Sequence, residues 1–166
     1  MKYKIGDKVK NNTRVLDMCC GGKHFWYDKN NEDVLFMDKR KKLKGFIKEQ
    51  PGWECNPDIV ADFTNMPFKD NTFYLVIFDP PHVITNSDGI ITKKYGRLNN
   101  DYKDLIKKGF QEAFRVLKPN GSLVFKWNDV TVKINEILSL SPKQPLMGTK
   151  TKKGVNNSYF FVFIKD

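Results

Sequence analysis

Phe73-Tyr74-Leu75-Val76-Ile77-Phe78-Asp79-Pro80-Pro81-His82 is the stretch on which the reading of this chain turns. Tyr74 to Phe78 is an unbroken apolar run rich in aromatic and β-branched residues, the pattern of an inner strand of a parallel sheet. Two consecutive prolines donate no ladder hydrogen bond, so the strand stops at Asp79. Open α/β sheets take their ligands at the carboxyl ends of their strands, which is where this carboxylate stands. The prolines fix φ and hold the Pro80 carbonyl beside it. Two acceptors and a flat side chain, His82, on one stiff corner suit a planar group that carries an NH2. Asp-Pro-Pro is also an ordinary turn out of a strand, so the weight falls on the surrounding chain.

Upstream, Arg14-Val15-Leu16-Asp17-Met18 reads as a first strand running into the small-residue turn Cys19-Cys20-Gly21-Gly22. Residues of that size let a ligand approach the backbone. Lys23 to Lys29 has room for a turn or two of helix. Val34-Leu35-Phe36-Met37 is a second buried strand ending at Asp38. An acid about 20 residues beyond a glycine turn, at a strand end, is where nucleotide-type ligands have their ribose hydroxyls held. Arg40 to Lys48 is basic and reads as helix or loop, with Gly45 weakening the helix. Asp58-Ile59-Val60-Ala61 is a third strand, followed by Asp62-Phe63. Four strands thus run into acids: Asp17, Asp38, Asp62 and Asp79. In a parallel sheet they would line one edge.

Downstream, Thr85 to Asn100 is a polar loop with the basic cluster Lys93-Lys94-Tyr95-Gly96-Arg97. The clearest helix is Asp101 to Leu117, with Tyr102, Leu105, Ile106, Phe110, Ala113, Phe114 and Leu117 on one face. Pro119-Asn120-Gly121 should end it, before a fifth strand from Ser122 to Trp127. A helix over Val130 to Leu140 and a closing strand pair, Leu146-Met147-Gly148 with Ser158 to Ile164, complete the pattern. Residues 1–13 read as a basic N-terminal arm, and residues 14–166 as a single domain.

The 166 residues carry 40% hydrophobic and 13% aromatic side chains, which excludes a disordered tail. The formal charge is +10, from 29 Lys+Arg against 19 Asp+Glu. Such a balance bears on partners, not on fold. Nucleic acid is the first polyanionic partner to consider, and an acidic membrane surface the second. No apolar run reaches the length of a membrane-spanning helix, so no membrane partner is expected. Three cysteines, two of them adjacent, make no disulfide framework, and a reducing cytoplasm fits them best. Cys19, Cys20, Cys55, His24 and His82 lack metal-ligand spacing, so no metal is expected. Oligomeric state leaves no mark on the sequence.

Taken together, this order resembles class I S-adenosylmethionine-dependent methyltransferases. Val15-Leu16-Asp17-Met18-Cys19-Cys20-Gly21-Gly22 is similar to their first motif, Asp38 to the ribose acid, and Asp62-Phe63 to the acid that reaches the adenine ring. Asp79-Pro80-Pro81-His82 resembles the Asp/Asn/Ser-Pro-Pro-aromatic motif of enzymes that methylate exocyclic amino nitrogens. With Phe25-Trp26-Tyr27-Asp28-Lys29 and Lys94-Tyr95-Gly96, the chain is more narrowly similar to small phage and prophage methyltransferases. Two departures stand out: only the middle glycine of the usual Gly-x-Gly-x-Gly turn is kept, and His82 replaces the more usual aromatic.

The resemblance implies a Rossmann-like α/β fold. Its seven-stranded sheet would be mostly parallel with an antiparallel last strand, and helices would cover both faces. It implies S-adenosylmethionine as cofactor, held by Asp17, Cys19, Gly21, Gly22, Asp38, Asp62 and Phe63. The reaction implied is transfer of a methyl group to an exocyclic amino nitrogen of a base in DNA or RNA, adenine favoured. Asp79, Pro80, Pro81 and His82 would form the catalytic corner. Lys93, Lys94 and Arg97 would hold neighbouring phosphates, and His82, Trp26 or Tyr95 could stack on the base. The alternatives are a methyltransferase acting on a protein glutamine amide or a small amine, and a non-catalytic nucleic-acid-binding relative.

Overall fold

The computed structural model describes residues 13–84, 88–149 and 158–166. Its centre is a short strand, β1 (Val15–Asp17), with β2 (Val34–Asp38) on one side and β4 (Phe73–Phe78) on the other. Both pairings are parallel, with Leu16 level with Leu35 and Val76. Strand β3 (Ile59–Val60) adds parallel to the outer edge of β2. On the far side, β5 (Leu117–Asn128) runs parallel to β4, and β7 (Ser158–Ile164) runs antiparallel to β5. The two-residue β6 (Met147–Gly148) closes that edge. The order β3-β2-β1-β4-β5-β7-β6 makes one seven-stranded sheet, mostly parallel and antiparallel only at its last strands.

Side chains alternate across the strands. Leu16, Leu35, Met37, Val76, Phe78, Leu123, Phe125 and Trp127 join one core cluster. The main helix, α2 (Tyr102–Val116), lays Ile106, Phe110, Ala113 and Phe114 into it. Phe110 has no exposed surface and meets Phe78, Phe125 and Phe163 at ring separations of 5.5, 4.8 and 5.9 Å. Burial of such a ring stabilises by roughly 1.5–3 kcal/mol. Ile134 and Ile137 of the short helix α3 (Ile134–Leu138) extend the same cluster. A smaller cluster holds the alternate residues Val34 and Phe36 with Cys20, and Val15 and Trp26 pack against it. Its cover is the turn region after β1, which forms turns and not the short helix for which Lys23 to Lys29 has room.

Three other elements differ from the sequence reading. Helix α2 passes directly into β5 at Leu117, so Lys118 to Gly121 belong to the strand. The reason is pairing with the end of β7: Asn120 N donates to Lys165 O and Lys165 N to Gly121 O, each at 2.9 Å. The polar stretch before α2 holds a further helix, α1 (Ile90–Tyr95), which ends at Gly96 with φ +78°. Glycine takes a positive φ at little cost, so the chain can turn out of the helix there. The helix expected over Val130 to Leu140 is cut to the five residues of α3. Residues 1–12 of the basic arm and residues 150–157 of the lysine-rich turn between β6 and β7 lie outside the described residues. Among the described residues, no helix is long and apolar enough to cross a membrane.

Candidate active site

The parallel strands deliver their acids to one place. Asp17, the last residue of β1, is 2% exposed. Its Oδ1 accepts from Cys19 N at 3.2 Å and its Oδ2 from Trp26 Nε1 at 2.8 Å. Burial pushes its pKa up to about 7; these two hydrogen bonds oppose the rise, while the nearby carboxylates of Asp79 and Asp38 add to it.

The turn after β1 is anchored on both sides, by Met18 N to Ile77 O at 3.1 Å and Cys20 N to Met37 O at 2.9 Å. Gly21 takes φ +48°, and its N–H donates to Asp38 Oδ2 at 3.0 Å. Asp38 Oδ1 accepts from Arg40 N at 2.9 Å and lies 3.3 Å from Arg40 Nε. A Cβ on Gly22 would stand 2.8 Å from Trp53 Nε1 and 2.7 Å from His24 Nε2, so this position needs glycine. Beside Gly21, the Tyr95 ring of α1 comes to 3.3 Å of where a Cβ would lie. Trp53 Nε1 is buried and has no acceptor among the described residues. A donor orphaned against a glycine turn fits a ligand that brings an acceptor.

Asp62 is held by its own neighbours. Its Oδ1 accepts from Thr64 N at 3.0 Å and Thr64 Oγ1 at 2.8 Å, and Lys39 Nζ lies 2.8 Å from Oδ2. Partial burial would raise its pKa, but Lys39 and the two Thr64 donors outweigh that and hold it below the usual carboxylate range. Phe63 is a core residue, 5.4 Å from Phe78 between ring centres.

Asp79, one residue beyond β4, meets two partners. Lys126 Nζ on β5 donates to Oδ1 at 3.2 Å and to Oδ2 at 3.0 Å, with both side chains mostly shielded from water. His82 Nε2 lies 3.1 Å from Asp79 Oδ1, off the hydrogen-bond axis. The imidazole stands edge-on to Trp127, 4.9 Å between ring centres. Thr131 Oγ1 donates to the His82 carbonyl and ties the corner to the loop after β5. Pro80 is buried, and every described peptide bond is trans. Sequence reading missed Lys126. The available signal was a cation inside the apolar run Leu123 to Trp127, where strand alternation alone reads it as solvent-facing.

The basic cluster lies on and after α1. Lys93 Nζ is 3.5 Å from Glu49 Oε1, and Arg97 NH1 is 3.8 Å from Asp88 Oδ1. Lys94 has no ion-pair partner among the described residues, though its charge helps lower the His24 pKa, behind burial and Lys29. Cys20, Asp38 and Cys55 are brought within 4.8 Å of one another, although far apart in sequence. A hydrogen bond with Cys55, then burial, pushes the Cys20 thiol up, which keeps it protonated. Cys55 Sγ itself donates to Arg40 O at 3.3 Å.

The fold has clear counterparts among solved structures. A Pyrococcus horikoshii protein matches 95% of this chain over 84% of its own, at 17% identity and TM-score 0.58. A TehB-like S-adenosylmethionine-dependent methyltransferase from Corynebacterium glutamicum matches 98% of the chain over 85% of its own, at 15% identity and TM-score 0.56. An S-adenosylmethionine-dependent methyltransferase from Methanosarcina mazei matches 97% over 96% of its own, at 11% identity and TM-score 0.51. No protein-family model matches the sequence, and neither does any curated protein. The chain therefore has the Rossmann-like fold of S-adenosylmethionine-dependent methyltransferases.

Proposed function

We propose that this protein is an S-adenosylmethionine-dependent methyltransferase acting on an exocyclic amino nitrogen of a nucleic-acid base, with adenine favoured. One observation carries the reading. Asp79 directly follows β4, next to the strand that bears Asp17 and the Gly21 turn, and Asp79 and Asp38 both act on the Asp17 carboxylate. Donor cleft and acceptor corner thus share one sheet edge.

The residues fit the cofactor. Asp38 would hold the ribose hydroxyls, and Asp17 with the Cys19 to Gly22 turn would hold the methionine end. Asp62 and Phe63 would lie toward the adenine. The orphaned Trp53 N–H beside Gly22 adds a donor for the same ligand. Bound there, S-adenosylmethionine supplies an electrophilic methyl group on a sulfonium.

The chain's own work is positioning. An aromatic amine is a poor nucleophile because its lone pair is delocalised into the ring. Asp79 and the Pro80 carbonyl would each accept one N–H, which favours a pyramidal nitrogen and directs its lone pair toward the donor. Lys126 already holds the carboxylate in one orientation. The target base must leave its stack to reach the corner. The +10 charge supports a polyanionic substrate.

Transfer of tritium from labelled S-adenosylmethionine to single-stranded DNA, RNA, a glutamine-containing protein extract and small amines tests the proposal. Label in DNA or RNA that disappears in Asp79→Ala, with S-adenosylhomocysteine affinity kept, is the expected result. Label confined to protein or small amines sinks the nucleic-acid reading. An unchanged rate in Asp79→Ala sinks the role of the corner.

A further inference from the structure

Two large rings flank the Asp79 corner without belonging to the core. Phe25 is 38% exposed and Phe160 is 40% exposed. They touch each other edge-on, 5.7 Å between centres. Lys126 Nζ lies 5.2 Å from the Phe25 ring centre, and Lys126 is paired across the β5–β7 ladder with Phe160. One ammonium therefore joins an exposed aromatic wall to the acceptor corner. His82, by contrast, is turned edge-on against Trp127.

An ammonium carries three N–H donors. Two go to the Asp79 oxygens. The third leaves the corner with a donor beside its acceptors, and exposed rings next to both. We infer that Phe25, Phe160 and Lys126 form the seat of the flat substrate ring, and that Lys126 reads a ring nitrogen adjacent to the reacting amino group. This deepens the proposed function and rests on it. The substrate class follows from complementarity. The ring must carry an NH2 for Asp79 and, beside it, an unprotonated nitrogen for Lys126. Adenine presents that edge with N6 flanked by N1 and N7, and cytosine with N4 beside N3. Thymine has no amino group. A glutamine amide offers an acceptor beside its NH2 but no ring to stack. Aromatic stacking on a single-stranded base and a charge-assisted hydrogen bond are each strong enough to set selectivity.

The experiment compares wild type, Lys126→Met and Phe25→Leu, with tritiated S-adenosylmethionine and three oligodeoxynucleotides. These contain adenine, 1-deazaadenine or 7-deazaadenine at the same positions. Calorimetry with S-adenosylhomocysteine is run on each protein, and unchanged affinity shows that the donor cleft is intact. Wild type should prefer adenine over one deaza analogue by about tenfold or more. Lys126→Met should lose that preference, with kcat/KM on adenine down by a similar factor. Phe25→Leu should raise KM about tenfold and change kcat far less. Equal loss on adenine and both analogues in Lys126→Met would reduce Lys126 to a positioning residue for Asp79 and overturn the reading of the ring nitrogen. Wild-type KM in Phe25→Leu overturns the seat. Either result leaves methyl transfer to nucleic acid standing. Wild-type label that goes only to protein or small amines overturns the proposed function and this inference together.

Discussion

The Gly21 amide donates to Asp38 Oδ2 across 3.0 Å, which ties the turn after β1 to the end of β2. The same carboxylate is held by Arg40 through its backbone N and Nε. Asp38 therefore shapes the turn, and in the proposed cleft it would also offer oxygens to the cofactor. Asp38→Ala should lower S-adenosylhomocysteine affinity by about tenfold or more, and unfolding stability by about 1–3 kcal/mol for the donors it strands. Titration calorimetry and urea unfolding read the two effects separately. Full affinity in the variant would remove Asp38 from the cleft.

Asp17 makes stability depend on pH. Its pKa is raised from the ordinary 3.8 to about 7, chiefly by burial. Between those values the native protein holds a proton that the unfolded chain has lost. The contribution is fully present below 3.8 and is lost as pH rises through about 7. Each pKa unit is worth about 1.4 kcal/mol, so the loss is on the order of 4 kcal/mol. Wild-type Tm should fall relative to that of Asp17→Asn as pH rises from 4 to 8. Parallel Tm curves for the two proteins would show that Asp17 does not carry the slope. A ligand that brings a cation to Asp17 should also expel this proton near neutral pH. Calorimetry of cofactor binding in buffers of different ionisation enthalpy detects that release.

The parts of this fold that sequence made legible are those where one local rule acts alone. The Tyr74 to Phe78 run and the proline pair locate β4 and Asp79, because so short a run, rich in β-branched and aromatic residues and closed by two prolines, favours a buried strand over a helix. Helix α2 follows from one apolar face. The strand-end acids Asp17, Asp38 and Asp79 converge as a parallel sheet requires, whereas Asp62 turns to Thr64 and Lys39. Helix α1 escaped because it has no buried residue and so no apolar period. Lys126 escaped because its partner Asp79 is a neighbour only once β4 and β5 pair. The approach of Cys20 and Cys55 to Asp38 is likewise a product of tertiary structure.

Arg115 is the clamp that holds the segment after Asp62 against α2. Its Nε meets Glu112 Oε1 at 2.6 Å, and its NH1 donates to Phe68 O at 2.7 Å and to Asp70 Oδ1 at 2.8 Å. Its NH2 donates to Met66 O at 3.1 Å, while Met66 N donates to Glu112 Oε2 at 2.6 Å. Partial burial would raise the Glu112 pKa, but Arg115 and the Met66 amide hold it below the usual carboxylate range. Arg115→Leu takes the partner from two carbonyls and from the Glu112 and Asp70 carboxylates, so a loss of about 2–3 kcal/mol is expected in urea unfolding. Arg115→Lys should recover only part, since a single ammonium cannot span the fork. Full recovery by lysine would mean that charge alone matters at this site.

The basic cluster gives the last prediction, a salt dependence that differs residue by residue. Each phosphate neutralised on a single strand contributes about 0.7 to the slope of log affinity against log salt. Lys94 has no ion-pair partner among the described residues, whereas Lys93 must leave Glu49 and Arg97 must leave Asp88 to reach a phosphate. Lys94→Ala should therefore reduce the slope for a single-stranded oligonucleotide by about 0.7. Lys93→Ala should change it less, because the wild-type side chain gives up an existing partner on binding. Fluorescence anisotropy from low to physiological salt measures both slopes. Slopes equal to wild type in Lys94→Ala would place the phosphate path elsewhere on the surface.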